Sequence, residues 1–103
     1  MTIIVEKNYS SSIQTPLQNS ISPNGDGIND FLKVRGKNIE KIQVQIVDSK
    51  GNPVYFMNSV DDVWDGRNQN GNLLIQGQYY MTVVAIGKDG ERHVKKTAVN
   101  LWE

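Results

Sequence analysis

The sequence contains no cysteine and only one histidine, His93. The lack of cysteine excludes a disulfide framework, a thiolate zinc site and a cysteine nucleophile. His93 lies in the alternating segment RHVKK, directly after Arg92. This setting favours a solvated edge position, and no other feature supports a Ser-His-Asp arrangement around the histidine. The sequence therefore predicts a domain that is not an enzyme.

Long apolar runs and net charge are also missing. No run approaches the roughly 20 apolar residues of a membrane span, so we expect no membrane insertion. Eleven Lys and Arg balance 11 Asp and Glu, which gives no broad attraction to nucleic acid or to an anionic membrane. The opening stretch MTIIVEKNYSSS has an early acid and too short an apolar run for a secretory signal. Both a cytoplasmic protein and a domain cut from a longer exported chain remain open.

Period-two alternation dominates the remaining pattern. Residues 39–48 alternate Ile42, Val44 and Ile46 with polar residues, and residues 78–87 are rich in aromatic and β-branched residues. Both patterns indicate strands. Turn signals separate the strands at 48–53, 65–72 and 88–91, the last with the Asp-Gly pair of a type I′ turn. Further strands are predicted at 54–58, at 92–102, from Phe31 or Leu32 through Val34, and near 3–5 or 17–21.

About seven short strands in 103 residues predict one all-β domain, an Ig-like antiparallel β-sandwich. Residues 6–16 lack periodicity. We therefore expect residues 1–16 to be a linker or N-terminal lead-in, and residues 17–103 to form the domain.

The stretch ISPNGDGINDFL, residues 21–32, is a candidate calcium loop. Calcium takes several oxygen ligands, with glycine where the chain turns sharply. An EF-hand alignment fails because Ser22 and Lys33 occupy its first and twelfth positions. The same residues also suit two consecutive turns without any ion, since Asn and Asp side chains bond nearby backbone. The candidate ligands are Asn24, Asp26, Asn29 and Asp30, with Gly25 and Gly27 turning the chain. Asp65 either reaches across to complete this site or caps the turn after Trp64 through its carboxylate, and the turn-capping role is the favoured interpretation.

Aromatic residues mark the other positions of interest. Trp64, followed by Asp65-Gly66, is expected to be a large core residue before a turn. Tyr79 and Tyr80 point to opposite faces of one strand, so one is expected in the core and the other in solvent. The exposed tyrosine could form a small binding patch, although cross-strand packing is the favoured interpretation.

Four motifs occur in order along the chain. They are Pro-Asn-Gly-Asp-Gly-Ile-Asn-Asp at 23–30, Gly-Asn-Pro-Val-Tyr at 51–55, Trp-Asp-Gly at 64–66 and Gly-Gln-Tyr-Tyr at 77–80. With these motifs the chain closely resembles the gliding-motility-associated C-terminal domain, the type B sorting domain of the type IX secretion system. The resemblance covers about residues 19–102 and makes Pro23, Gly25, Gly27, Trp64, Gly66, Gly77, Tyr79 and Tyr80 family-motif positions.

The resemblance implies an Ig-like domain that is recognised by secretion and attachment machinery. It further implies a cargo domain N-terminal to it in a longer chain, and a secreted or cell-surface location reached through the periplasm. The Ig-like domain of the flagellar hook-capping protein is also similar and would imply an assembly role. A calcium-dependent adhesion or carbohydrate-binding module is a further alternative.

Overall fold

The computed structural model describes residues 10–14, 20–23 and 30–102. Within these ranges the protein is all-β, with no helix and seven strands, as predicted. No described helix is long and apolar enough to cross a membrane. The strands are β1 (Ser12–Gln14), β2 (Ser20–Ile21), β3 (Arg35–Lys37), β4 (Ile39–Val47), β5 (Pro53–Met57), β6 (Gly77–Gly87) and β7 (Arg92–Leu101).

The strands form two sheets, consistent with an Ig-like sandwich. The larger sheet has the order β2-β7-β6-β4-β5, and the smaller pairs β1 with β3. All neighbours are antiparallel except β2 and β7. The long β4, β6 and β7 strands form the centre of the larger sheet, where the sequence alternation is strongest.

The core follows from that alternation. Ile42, Val44 and Ile46 of β4 point inward, while the residues between them are exposed. In β6 the inward residues include Met81 and Val83. Each buried aliphatic side chain contributes about 1.5–3 kcal/mol of transfer free energy. Residues outside the larger sheet complete the core, namely Ile13, Leu32, Val34 and Trp64.

The β6–β7 turn differs from the predicted type I′ geometry. Gly90 donates its N–H to the Gly87 carbonyl at 2.9 Å, and Gly87 donates to the Glu91 carbonyl at 2.8 Å. Type I′ needs positive φ at two successive residues. Among described non-glycine residues only Asn38 has positive φ, so Gly90, at φ 84°, is the one left-handed residue of this turn. The hairpin is therefore a three-residue loop that ends in a left-handed glycine, and the type I′ prediction is wrong.

One strand prediction in the N-terminal half is wrong. Leu32 makes an isolated bridge to Trp64 rather than opening a strand through Val34, and regular pairing begins only at Arg35. The backbone of Leu32 pairs with Trp64 outside the two sheets. Of the alternative strands near 3–5 or 17–21, the first lies outside the described residues and the second contains β2.

Part of the segment predicted as a lead-in is a strand. Ser12–Gln14 pairs with β3 and buries Ile13, which is 7% exposed. The expectation that these three residues lack regular structure is therefore wrong. A strand of three residues shows too little alternation to be recognised in the sequence. The domain boundary at residue 17 remains a prediction.

Candidate functional site

Both described ends of the candidate loop are fixed to the domain. Leu32 and Trp64 exchange backbone hydrogen bonds of 2.7 and 2.9 Å. On the other side of the loop, the Trp102 N–H donates to the Ile21 carbonyl at 2.9 Å. Because hydrogen bonds hold both ends, the base of the loop is a defined position on the sandwich. Asn24, Gly25, Asp26, Gly27 and Asn29 lie outside the described residues.

Trp64 is the central side chain under the loop base. It is 0% exposed, so the prediction of a core residue is confirmed. Its indole N–H donates to the Arg67 carbonyl at 3.0 Å, which satisfies the one polar atom of the ring. The ring meets Tyr79 edge to face, with the two centroids 5.5 Å apart. Trp64 therefore joins the loop base to β6.

The two tyrosines lie on opposite faces, as predicted. Tyr79 is buried and its hydroxyl donates to the Ile75 carbonyl at 2.6 Å. Such a bond to backbone a few residues upstream is the tyrosine corner of Ig-like sandwiches. Burial, followed by the charge of Asp48, raises the pKa of Tyr79. Tyr80 is exposed and donates to Gln78 at 3.2 Å. Gly77, which opens β6, has a φ of 151°.

Gly66 brings the Trp-Asp-Gly turn against the start of the loop. Its φ is 85°, in the region that favours glycine. A Cβ at this position would lie 2.8 Å from Cδ1 of Leu101 and 3.5 Å from Cγ of Pro23. The turn therefore packs closely on β7 and on the proline that begins the loop motif. No side chain larger than hydrogen fits there without movement.

Two of the predicted calcium ligands, Asp30 and Asp65, are among the described residues. Asp65 directly follows Trp64, and Asp30 stands two residues before Leu32, with which Trp64 forms an isolated antiparallel bridge. Asp65 also pairs with Arg67, at 3.5 Å between Oδ2 and Nε, and both side chains are half exposed. No group of three or more histidine or acidic side chains able to hold a metal occurs among the described residues.

A serine, a histidine and an aspartate meet at the opposite end of the sandwich, which the sequence did not reveal. The Ser11 hydroxyl lies 2.6 Å from Oδ1 of Asp89 and 2.7 Å from Nε2 of His93. Hydrogen bonds from Ser11 and from the Glu91 backbone hold the pKa of Asp89 at about 2. Its carboxylate is therefore ionised and accepts from Ser11.

This arrangement does not activate a nucleophile. The single hydroxyl proton of Ser11 points to Asp89, so His93 must donate to the serine oxygen rather than accept from it. In a catalytic triad the aspartate orients the histidine and the histidine accepts the serine proton. The cluster instead ties the chain before β1 to the β6–β7 turn, together with the Asn38 amide that donates to the Ser10 carbonyl at 3.0 Å.

The sequence model of the family described as CHU_C Type IX secretion signal domain matches residues 15–101. No curated protein sequence is similar enough to match. Among solved structures, CopC from Methylosinus trichosporium OB3b is similar, with a TM-score of 0.62 and 16% identity over 89% of this chain and 93% of that one. At this identity the likeness to CopC shows the fold alone.

Proposed function

Because the chain belongs to the family of type IX secretion signal domains, we propose that it is a non-catalytic C-terminal sorting and attachment domain of a larger exported protein. The resemblance predicted from the four motifs is confirmed by the family match over residues 15–101, and this match carries the proposal. The export machinery would read a folded surface of the sandwich. The cargo would precede the domain in the same chain and reach the medium or the cell surface through the periplasm.

A reporter fusion tests the sorting role. Residues 1–103 would be attached to the C-terminus of a reporter behind a signal peptide, in a host with a type IX system. We expect reporter in the medium or on the cell surface, whereas the reporter without the domain stays in the periplasm. A folded fusion that stays in the periplasm would contradict the sorting role and favour an assembly or adhesion module.

We further propose that calcium binds the loop through Asn24, Asp26, Asn29 and Asp30, with Asp65. The Leu32–Trp64 bridge supports this ligand set, because it ties the described end of the loop to the Trp-Asp-Gly turn that carries Asp65. Arg67 would have to release Asp65, since a guanidinium competes with a bound cation for the carboxylate.

Calcium addition is expected to raise the melting temperature of the chain, because an ion that binds only the folded state stabilises it by mass action. The rise should be smaller in Asp26→Asn and in Asp65→Asn, and Asp61→Asn serves as a control outside the ligand set. Differential scanning calorimetry with calcium and with excess chelator measures the effect. Equal melting temperatures in the two conditions would rule out a stabilising calcium site.

A further inference from the structure

A pocket of about 380 Å³ lies at the end of β5, the edge strand of the larger sheet. This volume falls within the roughly 300–1,000 Å³ that is typical of small-molecule sites. Three of the lining side chains are amides, two are aromatic and one is charged. The lining residues are Gln43, Tyr55, Phe56, Met57, Asn58, Asp62 and Gln69. Such a lining suits a polar ligand without a net charge.

The backbone of β5 holds two of the polar side chains in place. The Phe56 N–H donates to Oε1 of Gln69 at 2.9 Å, and the Gln69 N–H donates to the Val54 carbonyl at 3.1 Å. The Asn58 N–H donates to Oδ2 of Asp62 at 3.1 Å. Within the part of the chain that the structure describes, the NH₂ group of Gln69 and Oδ1 of Asp62 stay available to a ligand. One donor and one acceptor are thus positioned in advance, which reduces the ordering cost of binding.

Phe56 supplies an apolar surface beside these groups. Its side chain is 50% exposed and lies on the face of the larger sheet that is turned away from the core. Phe56 pairs with Gln45, and the same register continued by two residues places Asn58 opposite Gln43. By alternation, Asn58 and Gln43 share the face of Phe56. Two exposed amide side chains therefore stand next to an exposed phenyl ring.

This combination of groups matches the chemistry of a neutral sugar. A sugar ring carries hydroxyls that donate and accept hydrogen bonds, and a face of C–H groups that packs on an aromatic ring. Amide side chains likewise donate and accept, and a phenyl ring offers a flat apolar surface. The pocket supplies both kinds of contact on one side of β5.

Charge argues against an anionic ligand. Asp62 is the single charged residue of the lining, so no Lys or Arg is present there to hold a phosphate, a sulfate or a carboxylate. The charged residues within three sequence positions of the lining are of both signs: Glu40, Lys41, Asp61, Asp65 and Arg67. A basic peptide is the alternative occupant, since a carboxylate beside aromatic rings also suits a cation. A cation would leave the amide side chains unused, whereas a sugar would use them.

We propose that the end of β5 is a binding site for a neutral saccharide. Phe56 stacks on one sugar ring, and the positioned groups of Gln69 and Asp62 bond its hydroxyls. The amides of Gln43 and Asn58 reach further hydroxyls from the same face. The site belongs to the folded domain alone, so it goes beyond the sorting role and can be tested on the isolated chain.

An array of immobilised oligosaccharides tests the site. The chain would be applied to neutral and acidic oligosaccharides and to poly-lysine, and we expect it to bind neutral oligosaccharides. Phe56→Ala should weaken the affinity for the best-bound neutral oligosaccharide at least about tenfold, because the stacking surface is lost. Gln69→Glu should weaken it about fivefold, since glutamate still accepts from the Phe56 N–H but has no N–H to donate.

Trp102→Ala is the matched control. Trp102 is an aromatic residue that is 56% exposed and lies outside the pocket, so this variant should bind like the parent. Equal melting temperatures of the variants would show that folding is intact, and Gln69→Glu carries the test if Phe56→Ala does not fold.

The position of the site has its own readout. In an NMR titration with the best-bound neutral oligosaccharide, the side-chain NH₂ signals of Gln69 and the backbone amide of Phe56 should shift. The inference would be overturned if the parent bound no neutral oligosaccharide, if it bound only poly-lysine or acidic sugars, or if Phe56→Ala and Gln69→Glu both bound like the parent. None of these measurements involves export, so the sorting role is tested separately.

Discussion

Trp64→Ala is expected to lower the free energy of unfolding by about 3–5 kcal/mol, the range for removing a large aromatic side chain from a core. Trp64 is 0% exposed, contacts Tyr79 edge to face and donates to the Arg67 carbonyl. Alanine would leave a cavity beneath the loop base and a carbonyl without its donor. Since a domain of this size is stable by only about 5–15 kcal/mol, the variant should lose a large share of its stability.

The second tryptophan provides the control for this prediction. Trp102 is 56% exposed, and its backbone N–H, rather than its ring, bonds to Ile21. Trp102→Ala should therefore cost less than about 1 kcal/mol. Urea unfolding followed by circular dichroism measures both variants. Equal losses of stability would contradict the assignment of Trp64 as the central core residue under the loop.

Gly66→Ala is expected to cost about 2–4 kcal/mol. A φ of 85° costs a residue with a Cβ about 1–2 kcal/mol. The added Cβ would also lie 2.8 Å from Leu101 Cδ1, so Leu101 would have to move within a packed core. The change therefore strains both the Trp-Asp-Gly turn and the contact that holds it against β7.

Gly71→Ala separates the two costs of the Gly66 substitution. Gly71 has a φ of 86°, almost equal to that of Gly66, but a Cβ there would meet nothing within 4 Å. Gly71→Ala should therefore show the backbone cost alone, and the difference between the two variants measures the close approach to Leu101. If both lose the same stability in urea unfolding, the Gly66 contact contributes nothing.

The centre of the larger sheet could be predicted from the sequence because its signal is local. β4 and β6 alternate over nine and 11 residues, which is enough to identify both the strand and its inward face. Trp64 and the two tyrosines were predicted for the same reason. β1, with three residues, is too short for any pattern, and its place depends on pairing with a strand far along the chain.

The contacts just before β1 could not be predicted either, because they too join residues that are far apart in the sequence. Ser11 meets Asp89 and His93 across sequence separations of 78 and 82 residues. No spacing rule connects residues so far apart, and the cluster exists only because the β6–β7 turn reaches the start of β1.

The turn geometry could have been predicted better. Asp48 and Asn68 each accept, through Oδ1, hydrogen bonds from the backbone N–H groups two and four residues later. Both turns end in a left-handed glycine followed by asparagine, in the segments DSKGN and NQNGN. An Asx residue three positions before Gly-Asn is the shared signal. The β6–β7 turn also ends in a left-handed glycine, so Asp-Gly alone did not establish a type I′ turn.

The most direct test of the sorting role is the dependence of export on the type IX system itself. The reporter carrying residues 1–103 would be expressed in a host with an intact system and in the same host with the system deleted, and the fraction of reporter outside the cell would be measured in each. The sorting role predicts export in the intact host and periplasmic reporter after deletion. The sorting role would be contradicted if the fraction of reporter outside the cell were the same in the two hosts.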